Sequence, residues 1–237
     1  MTSSGGRVRS ITLEVLPLSD QPLRRLIATL ATFFVLLFPV RADQHREDLF
    51  DFFVLSLSWS PTYCLSEEGQ NNRQQCGLTK RHGFVVHGLW PQYEHGYPEF
   101  CTSPHPGRVP ESLGRRFFDI MPSMGLIGHQ WRKHGTCSGL SQEQYLETTR
   151  RAFEALHLPE NLLGQGSHGD EIGATEIEDL FVAANPGLLR GGIAVACDGQ
   201  RVKEVRICLT SDLRFRECHQ VDTAGCKASS LTLPPIR

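Results

Sequence analysis

Residues 193–209 (IAVACDGQRVKEVRICL) contain the pattern that decides the fold class. Apolar and polar residues alternate on both sides of Asp198 and Gly199, as expected for two strands that each bury one face. An Asp-Gly pair is a preferred turn between antiparallel strands. The segment therefore predicts a β-hairpin, and residues 213–221 are expected to add a further strand beside it.

Two earlier segments, residues 51–59 (DFFVLSLSW) and 83–90 (GFVVHGLW), are short apolar runs rich in β-branched and aromatic residues. Runs of this length and composition predict buried strands. Residues 67–81 between them are polar and predict a loop. Residues 93–109 are dense in Pro, Gly and His, and they predict a long surface loop of the kind that often carries function.

Two helices are predicted from their start signals. Ser141 with Gln144 three residues later, and Thr175 with Glu178, both have the spacing of a capping box, and apolar residues follow at helical intervals. The second helix is expected to stop before Pro186. Because strands and helices are grouped rather than strictly alternating, the chain predicts an α+β fold with a central antiparallel β-sheet flanked by helices.

The composition is that of a globular protein. The 237 residues are 40% apolar and 21% charged, with a formal charge of −2, and no internal repeat or low-complexity tract is present. These values exclude a disordered chain, a collagen and a solenoid.

The first 42 residues have the layout of a secretory signal peptide. Arg24 and Arg25 precede an apolar run at residues 26–40, and a small residue, Ala42, follows at the expected cleavage position. A membrane anchor is the alternative, but the run is shorter than the ~20 apolar residues that cross a bilayer. We expect cleavage after Ala42, a single domain at residues 43–237, a secreted or periplasmic location and no stable association with the membrane.

Removal of residues 1–42 takes five basic and two acidic side chains from totals of 24 and 26, so the mature chain would carry a formal charge of −5. A chain of this charge has no broad basic face for holding a polyanion by counterion release. Any nucleic acid must therefore be bound through a small local cluster.

All eight cysteines follow residue 42, and an even number in an exported chain predicts disulfides. The spacing alone leaves 105 possible connectivities. A zinc site formed by these thiols is the alternative, but it needs paired short spacings such as C-x₂-C, and the chain has none.

Two segments concentrate groups that can carry chemistry: residues 86–91 (VHGLWP) and 129–137 (HQWRKHGTC). On a helix, His129 and Lys133 are one turn apart, as are Gln130 and His134. Imidazole can both accept and donate a proton near neutral pH, and a cation can stabilise charge on phosphorus. This set is suited to cleaving RNA through its own 2′-OH, a chemistry that excludes DNA and needs no metal ion.

Other interpretations of the same residues stay open. A lone histidine beside a strand is more often structural than catalytic. Zinc ligation by His129 and His134 is disfavoured, because they are five residues apart with no Glu between them, whereas H-E-x-x-H places its ligands four apart. Trp90 is suited to stacking on a base or to core packing.

Residues 84–93 (FVVHGLWPQY) and 129–137 resemble the two active-site boxes of the ribonuclease T2 family, in that family's order and spacing. Residues 58–64 (SWSPTYC) and 183–187 (AANPG) extend the resemblance over nearly the whole mature chain. The resemblance implies an α+β endoribonuclease that acts on single-stranded RNA without a metal ion or other cofactor. The products would be a 2′,3′-cyclic phosphate and then a 3′-phosphate. Separately, we expect the protein to be a monomer.

The resemblance also implies roles for individual residues. His134 would be the general base and His87 the general acid of the first step. Lys133 would neutralise the charge that develops on phosphorus, and His129 would hold the phosphate.

Three further positions concern the substrate. Trp90 matches a position that stacks on a base, and Pro122 and Ser123 are expected to line a second base site. Gln130 replaces a Glu that usually assists at the phosphate, so we expect an active enzyme with a changed rate or pH optimum.

The nested cysteine pairing of the family implies four disulfides in this chain: Cys64–Cys76, Cys101–Cys137, Cys197–Cys226 and Cys208–Cys218.

Two rival functions belong to other classes. A non-catalytic RNA-binding or host-interaction protein that kept the fold is supported by Gln130 and would release no cyclic phosphate. A zinc-dependent hydrolase would lose its activity to chelators.

Overall fold

The computed structural model describes residues 49–77, 81–163 and 171–236. The apolar run at 26–40 and the cleavage position at Ala42 lie outside these residues. The signal peptide and the domain boundary at residue 43 therefore stay predictions. Within the described ranges, no helix has the length and apolar character needed to cross a membrane.

Six strands make up one sheet in the described part of the chain. They are β1 (Phe52–Trp59), β2 (Phe84–Gln92), β3 (Glu171–Ile172), β4 (Ile193–Asp198), β5 (Arg201–Leu209) and β6 (Leu231–Thr232). The order β2-β1-β5 is antiparallel throughout, and β4 pairs antiparallel with β5. Strand β6 meets β5 at Arg201 and Thr232 and pairs with β3. The predicted hairpin is confirmed, and Gly199 in its turn has a φ of +57°.

Nine α-helices lie in the described ranges. They are α1 (Ser60–Cys64), α2 (Glu67–Asn71), α3 (Arg73–Cys76), α4 (Glu111–Gly114), α5 (Met124–Lys133), α6 (Gln142–Glu154), α7 (Glu160–Leu163), α8 (Ala174–Ala184) and α9 (His219–Thr223). The predicted α+β class with a largely antiparallel sheet is confirmed. The long loop predicted at residues 93–109 is also confirmed, since it contains no helix or strand.

The prediction of a loop at residues 67–81 is wrong for the part that forms α2 and α3. Both helices start at side-chain caps: the Ser66 hydroxyl accepts a hydrogen bond from the Gly69 amide, and the Asn72 side chain accepts one from the Gln75 amide. The polar composition reflects helices that lie at the surface and are too short for an apolar periodicity.

The prediction of a strand at residues 213–221 is also wrong. This segment touches β5 through a single bridge between Leu209 and Phe215 and then forms α9. Leu213 has a φ of +67°, which is incompatible with extended backbone, and the Cys208–Cys218 disulfide closes the segment into a short loop.

The two predicted helix starts have different outcomes. Ser141 and Gln144 form the predicted capping box of α6. The box predicted for Thr175 and Glu178 is wrong, because α8 begins one residue earlier and has no side-chain cap. The Glu178 carboxylate instead accepts a hydrogen bond from the Val195 amide of β4 at 3.1 Å.

One face of the sheet is the main hydrophobic core. Leu57 of β1 and Leu89 of β2 are fully buried there, together with Trp131 of α5, Tyr145 of α6 and Phe181 of α8. The Tyr145 hydroxyl donates a hydrogen bond to the Leu89 carbonyl oxygen at 2.9 Å, which joins α6 to β2. Burial of each large apolar side chain contributes roughly 1.5–3 kcal/mol, so this face fixes the position of the strands that carry the opposite, polar face.

A β-bulge in β2 decides which side chains reach the polar face. Strand β1 pairs Leu57 with Val86 and Ser56 with Gly88, so His87 is the extra residue. In a regular strand, His87 and Trp90 would point to opposite faces, because they are an odd number of residues apart. The bulge brings both onto the polar face, where their rings are in contact at a centroid distance of 5.3 Å.

Candidate active site

A cavity of about 330 Å³ lies on the polar face of the sheet. It is lined by six of the residues that the sequence analysis singled out: His87, Trp90, His129, Gln130, Lys133 and His134. A larger cavity of about 1060 Å³ shares four lining residues with it: His87, His129, Lys203 and Glu204. The two distant sequence segments thus meet at one cavity, which shares part of its wall with the larger one.

His87 is held by a buried carboxylate. Its Nδ1 lies 2.6 Å from Oε1 of Glu204, whose side chain is 3% exposed, while the His87 side chain is 31% exposed. Arg206 donates hydrogen bonds to the other oxygen, Oε2, at 3.0 and 3.2 Å. Burial disfavours the ionised form of Glu204, but the hydrogen bond from His87 and the charges of His87 and Arg206 lower the pKa of Glu204 to about 2.

This arrangement defines the tautomer of His87. A carboxylate with a pKa of about 2 is ionised near neutral pH and can only accept hydrogen bonds. Nδ1 of His87 must therefore carry the hydrogen of the 2.6 Å bond. Nε2 is left as the nitrogen that can exchange a proton with a ligand in the cavity.

His134 has a different environment. It caps the C-terminus of α5 and is 5% exposed, and its Nδ1 is buried with no hydrogen-bond partner among the described residues. Burial, together with the charge of Lys133, lowers the pKa of His134 to about 3. The ring is therefore neutral near pH 7 and has a lone pair that can accept a proton.

Trp90 lies against both histidines. Its ring stacks on His134 at 5.2 Å with an interplanar angle of 25°, and it contacts His87 edge-on. Its Nε1 donates a hydrogen bond to Oε1 of Gln130 at 2.8 Å. A Cβ at Gly88 would overlap Oε1 of Gln130 and lie 2.6 Å from Nε1 of Trp90, so the link between β2 and α5 requires glycine at this position.

Lys133 and His129 lie one turn apart on α5, as predicted. The Lys133 ammonium is 3.4 Å from a carboxylate oxygen of Glu99 and 5.9 Å from the centre of the Tyr97 ring. Burial, followed by the charge of Lys133, lowers the pKa of His129. Since His129 lines both cavities, a ligand that extends from one cavity into the other passes this residue.

The structure separates the two residues expected at a second base site. Ser123 lines the larger cavity and also caps α5 by accepting a hydrogen bond from the Leu126 amide. Pro122 is buried and is not among the residues that line either cavity.

Sequence reasoning missed Glu204, Arg206 and Tyr97. Tyr97 is an exposed aromatic side chain in the loop that faces His134, at a ring distance of 6.3 Å. Glu204 and Arg206 occupy alternate positions of a strand, and this pattern is typical of side chains that face solvent. Only the pairing of β5 with β1 shows that these two residues share a face with His87.

Four disulfides are present, and they join the same cysteine pairs that the family resemblance implies: Cys64–Cys76, Cys101–Cys137, Cys197–Cys226 and Cys208–Cys218. The second of them attaches the loop at residues 93–109 to the end of the α5 segment, beside the cavity. In the described part of the chain, no three His, Cys, Asp or Glu side chains cluster closely enough to hold a metal ion.

Curated relatives are similar over part of their length. A ribonuclease of Aeromonas hydrophila is 45% identical over 96 residues, which cover 40% of this chain and 41% of that protein. The chain spans less than half the length of the first curated relatives that it matches.

Solved structures are similar over most of the chain. An RNase-related protein from Calystegia sepium matches with a TM-score of 0.64 and 26% identity, covering 79% of this chain and 98% of that one. The crystal structure of RNase NT in complex with 5′-AMP matches with a TM-score of 0.58 and 25% identity, covering 78% and 98%.

A family model matches more than half of the chain. The model described as the ribonuclease T2 family aligns with residues 50–218, a range that includes both segments that resemble that family's active-site boxes. On this evidence the chain belongs to the ribonuclease T2 family.

Proposed function

We propose that this protein is an endoribonuclease that cleaves single-stranded RNA by transesterification, without a metal ion. One observation carries the proposal: His87 and His134, which are 47 positions apart in the sequence, line one cavity together with Lys133. His87 has a carboxylate partner and His134 has none among the described residues, a difference that suits a reaction with one general acid and one general base.

In the first step, neutral His134 accepts the proton of the 2′-OH, and the 2′-oxygen attacks the adjacent phosphorus. The bond between phosphorus and the 5′-oxygen breaks as Nε2 of His87 gives its proton to that oxygen. The products are a 2′,3′-cyclic phosphate and a free 5′-OH end. DNA lacks the 2′-OH and is not a substrate.

In the second, slower step, the roles are reversed. His87 accepts a proton from water, the resulting hydroxide opens the cyclic phosphate, and His134 protonates the departing 2′-oxygen. A 3′-phosphate end results, and both histidines return to their starting states.

Lys133 and His129 are assigned to the phosphate. Lys133 supplies a positive charge where the phosphorane gains negative charge, and such charge stabilisation is commonly the largest contribution of an active site. A bound phosphate also offsets the effect of Lys133 on His134, so substrate binding makes the His134 ring a better base. Trp90 and Ser123 are proposed to contact bases, and Gln130 to bond the phosphate through its amide.

The substrate and the location follow from the same proposal. RNase NT was crystallised with 5′-AMP, a nucleotide whose phosphate and base are those that a cavity of this kind would hold. The predicted signal peptide and the four disulfides favour a secreted or periplasmic location, and we propose a monomer there.

Product analysis on short RNAs tests the proposal. The purified protein is expected to release cyclic phosphate and then 3′-phosphate ends equally well with and without EDTA, and matched DNA should stay intact. His87→Ala should abolish both products. RNA binding without cyclic phosphate would instead favour a non-catalytic protein, and loss of cleavage in EDTA would favour a zinc-dependent hydrolase.

A further inference from the structure

We propose that Glu204 is a positioning residue for His87: it fixes the proton of the neutral ring on Nδ1, directs Nε2 to the scissile phosphate, and stabilises the ring when it is protonated. The inference rests on the proposed function, since it concerns the general acid of that reaction. Arg206 completes the arrangement by holding the Glu204 carboxylate in place.

The sheet register brings the carboxylate to the histidine. Ser58 of β1 pairs with Val85 of β2 on one side and with Glu204 of β5 on the other. Glu204 therefore lies on the polar face, and β1 separates its strand from β2. The bulge at His87 turns its ring towards β5. The resulting Nδ1–Oε1 distance of 2.6 Å is typical of a strong, charge-assisted hydrogen bond.

The deep burial of Glu204 indicates a specific role for its carboxylate. A side chain that is 3% exposed loses nearly all its hydration, and an ionised group in that position is costly unless it is fully paired. Both Glu204 oxygens are paired, one with His87 and one with Arg206. With two fixed partners the carboxylate has one orientation, and the His87 ring takes its orientation from it.

The charges around His87 make such a partner necessary. His129 and His134 of α5 interact electrostatically with His87, and Lys203 and Lys133 line the same cavity. The lysines and Arg206 are permanent cations of this cavity, and each of them repels a further positive charge placed within it. Glu204 is the carboxylate that lines this cavity among the described residues, and it counteracts them.

Glu204→Gln tests the charge and the tautomer together. Arg206 has only donors, so the single oxygen of the new side-chain amide would face Arg206, and its NH₂ group would face Nδ1. His87 would then carry its proton on Nε2 in the neutral state. We expect kcat to fall roughly 10- to 100-fold with KM nearly unchanged, which is less than the roughly 10²- to 10⁴-fold cost of losing a proton-transfer group itself. The alkaline limb of the kcat profile should move to lower pH.

Two comparison variants separate positioning from folding. Glu204→Asp keeps the charge on a shorter side chain and should retain more activity than Glu204→Gln. Glu178→Gln removes another partly buried carboxylate, which bonds a backbone amide away from the cavity, and should leave kcat and its pH profile unchanged.

Ring ¹⁵N chemical shifts of His87 provide a readout that needs no RNA. The wild-type neutral ring should be protonated on Nδ1, and that of Glu204→Gln on Nε2. An Nε2-protonated wild-type ring, or an unchanged kcat and alkaline limb in Glu204→Gln, would overturn the positioning role. Failure of the proposed function would appear separately, as absence of cleavage by the wild-type protein.

Discussion

His87 and His134 both contact the Trp90 ring, yet their surroundings are opposite. His87 lies on a strand, is partly exposed and shares its Nδ1 hydrogen with a buried carboxylate. His134 lies at a helix end, is almost fully buried, and has a cation, Lys133, next to it in the chain. Under the proposed function, this contrast in environment, rather than the type of side chain, is what assigns the acid role to one imidazole and the base role to the other.

The largest expected effect on kcat comes from removing either of the two imidazoles. His134→Ala should lower kcat by roughly 10²- to 10⁴-fold, and His87→Ala by a similar factor, since each removes one proton-transfer group. The double variant should lose little more than either single variant, because the two groups act as a unit. Single-turnover cleavage of a dinucleotide measures all three, and multiplicative losses would show that the histidines act independently.

The burial of His134 predicts a pH-dependent stability. Its pKa falls from 6.5 to about 3 on folding, so between these values the unfolded chain binds a proton that the native protein does not. Protonation therefore favours unfolding as the pH falls below 6.5. His134→Gln, which cannot bind the proton, should gain about 3 kcal/mol in unfolding free energy relative to wild type between pH 8 and pH 4.

Urea unfolding at the two pH values measures this gain. His95→Gln, at an exposed position, is the matched control. If the difference between His134→Gln and wild type is the same at both pH values, the ring is not held neutral by its surroundings.

The contact between the two boxes is expected to be the next most sensitive feature. Gly88→Ala would place a methyl group against the hydrogen bond between Trp90 and Gln130, and it should lower kcat roughly 10-fold by displacing Trp90 from both imidazoles. At Gly107, a Cβ would make only ordinary contact with Arg132, so Gly107→Ala should keep wild-type kcat. Equal activity of the two variants would contradict this view of Gly88.

The smallest effect is expected from Gln130→Glu. The new carboxylate can still accept the hydrogen bond from Trp90, and its charge favours protonation of His134. Because the general base must be unprotonated, the acid limb of kcat/KM should move to higher pH, with kcat changing less than about tenfold. A pH–rate series on a dinucleotide measures the shift, and a move to lower pH would be inconsistent with His134 as the base.

Local signals in the sequence were sufficient for much of the fold. The Ser141–Gln144 box needs only its own backbone, and the Asp198-Gly199 turn is set by its own φ preference, so both were predictable. The same box pattern failed at Thr175, because a distant β4 amide takes the Glu178 carboxylate. A local pattern cannot show that a tertiary partner competes for the same side chain.

The residues of the candidate site also fall into two groups: those that a local sequence pattern predicts and those that depend on distant partners. His129, Lys133 and His134 are neighbours on one helix, so their proximity was visible in the sequence. Glu204 acts on His87 from 117 positions away, and its strand pattern is that of a surface residue. Its proximity to His87 depends on the register of three strands and on one bulge, neither of which a single strand's sequence encodes.

The bulge in β2 has a consequence for how this segment can vary among related proteins. The number of residues between His87 and Trp90 decides which face of the sheet each side chain occupies. Any aliphatic side chain of suitable volume can replace Leu89. An insertion or deletion there would move the side chains of the rest of the strand to the opposite face. Related sequences should therefore accept other aliphatic residues at position 89, keep glycine at position 88 and reject changes in the length of the segment.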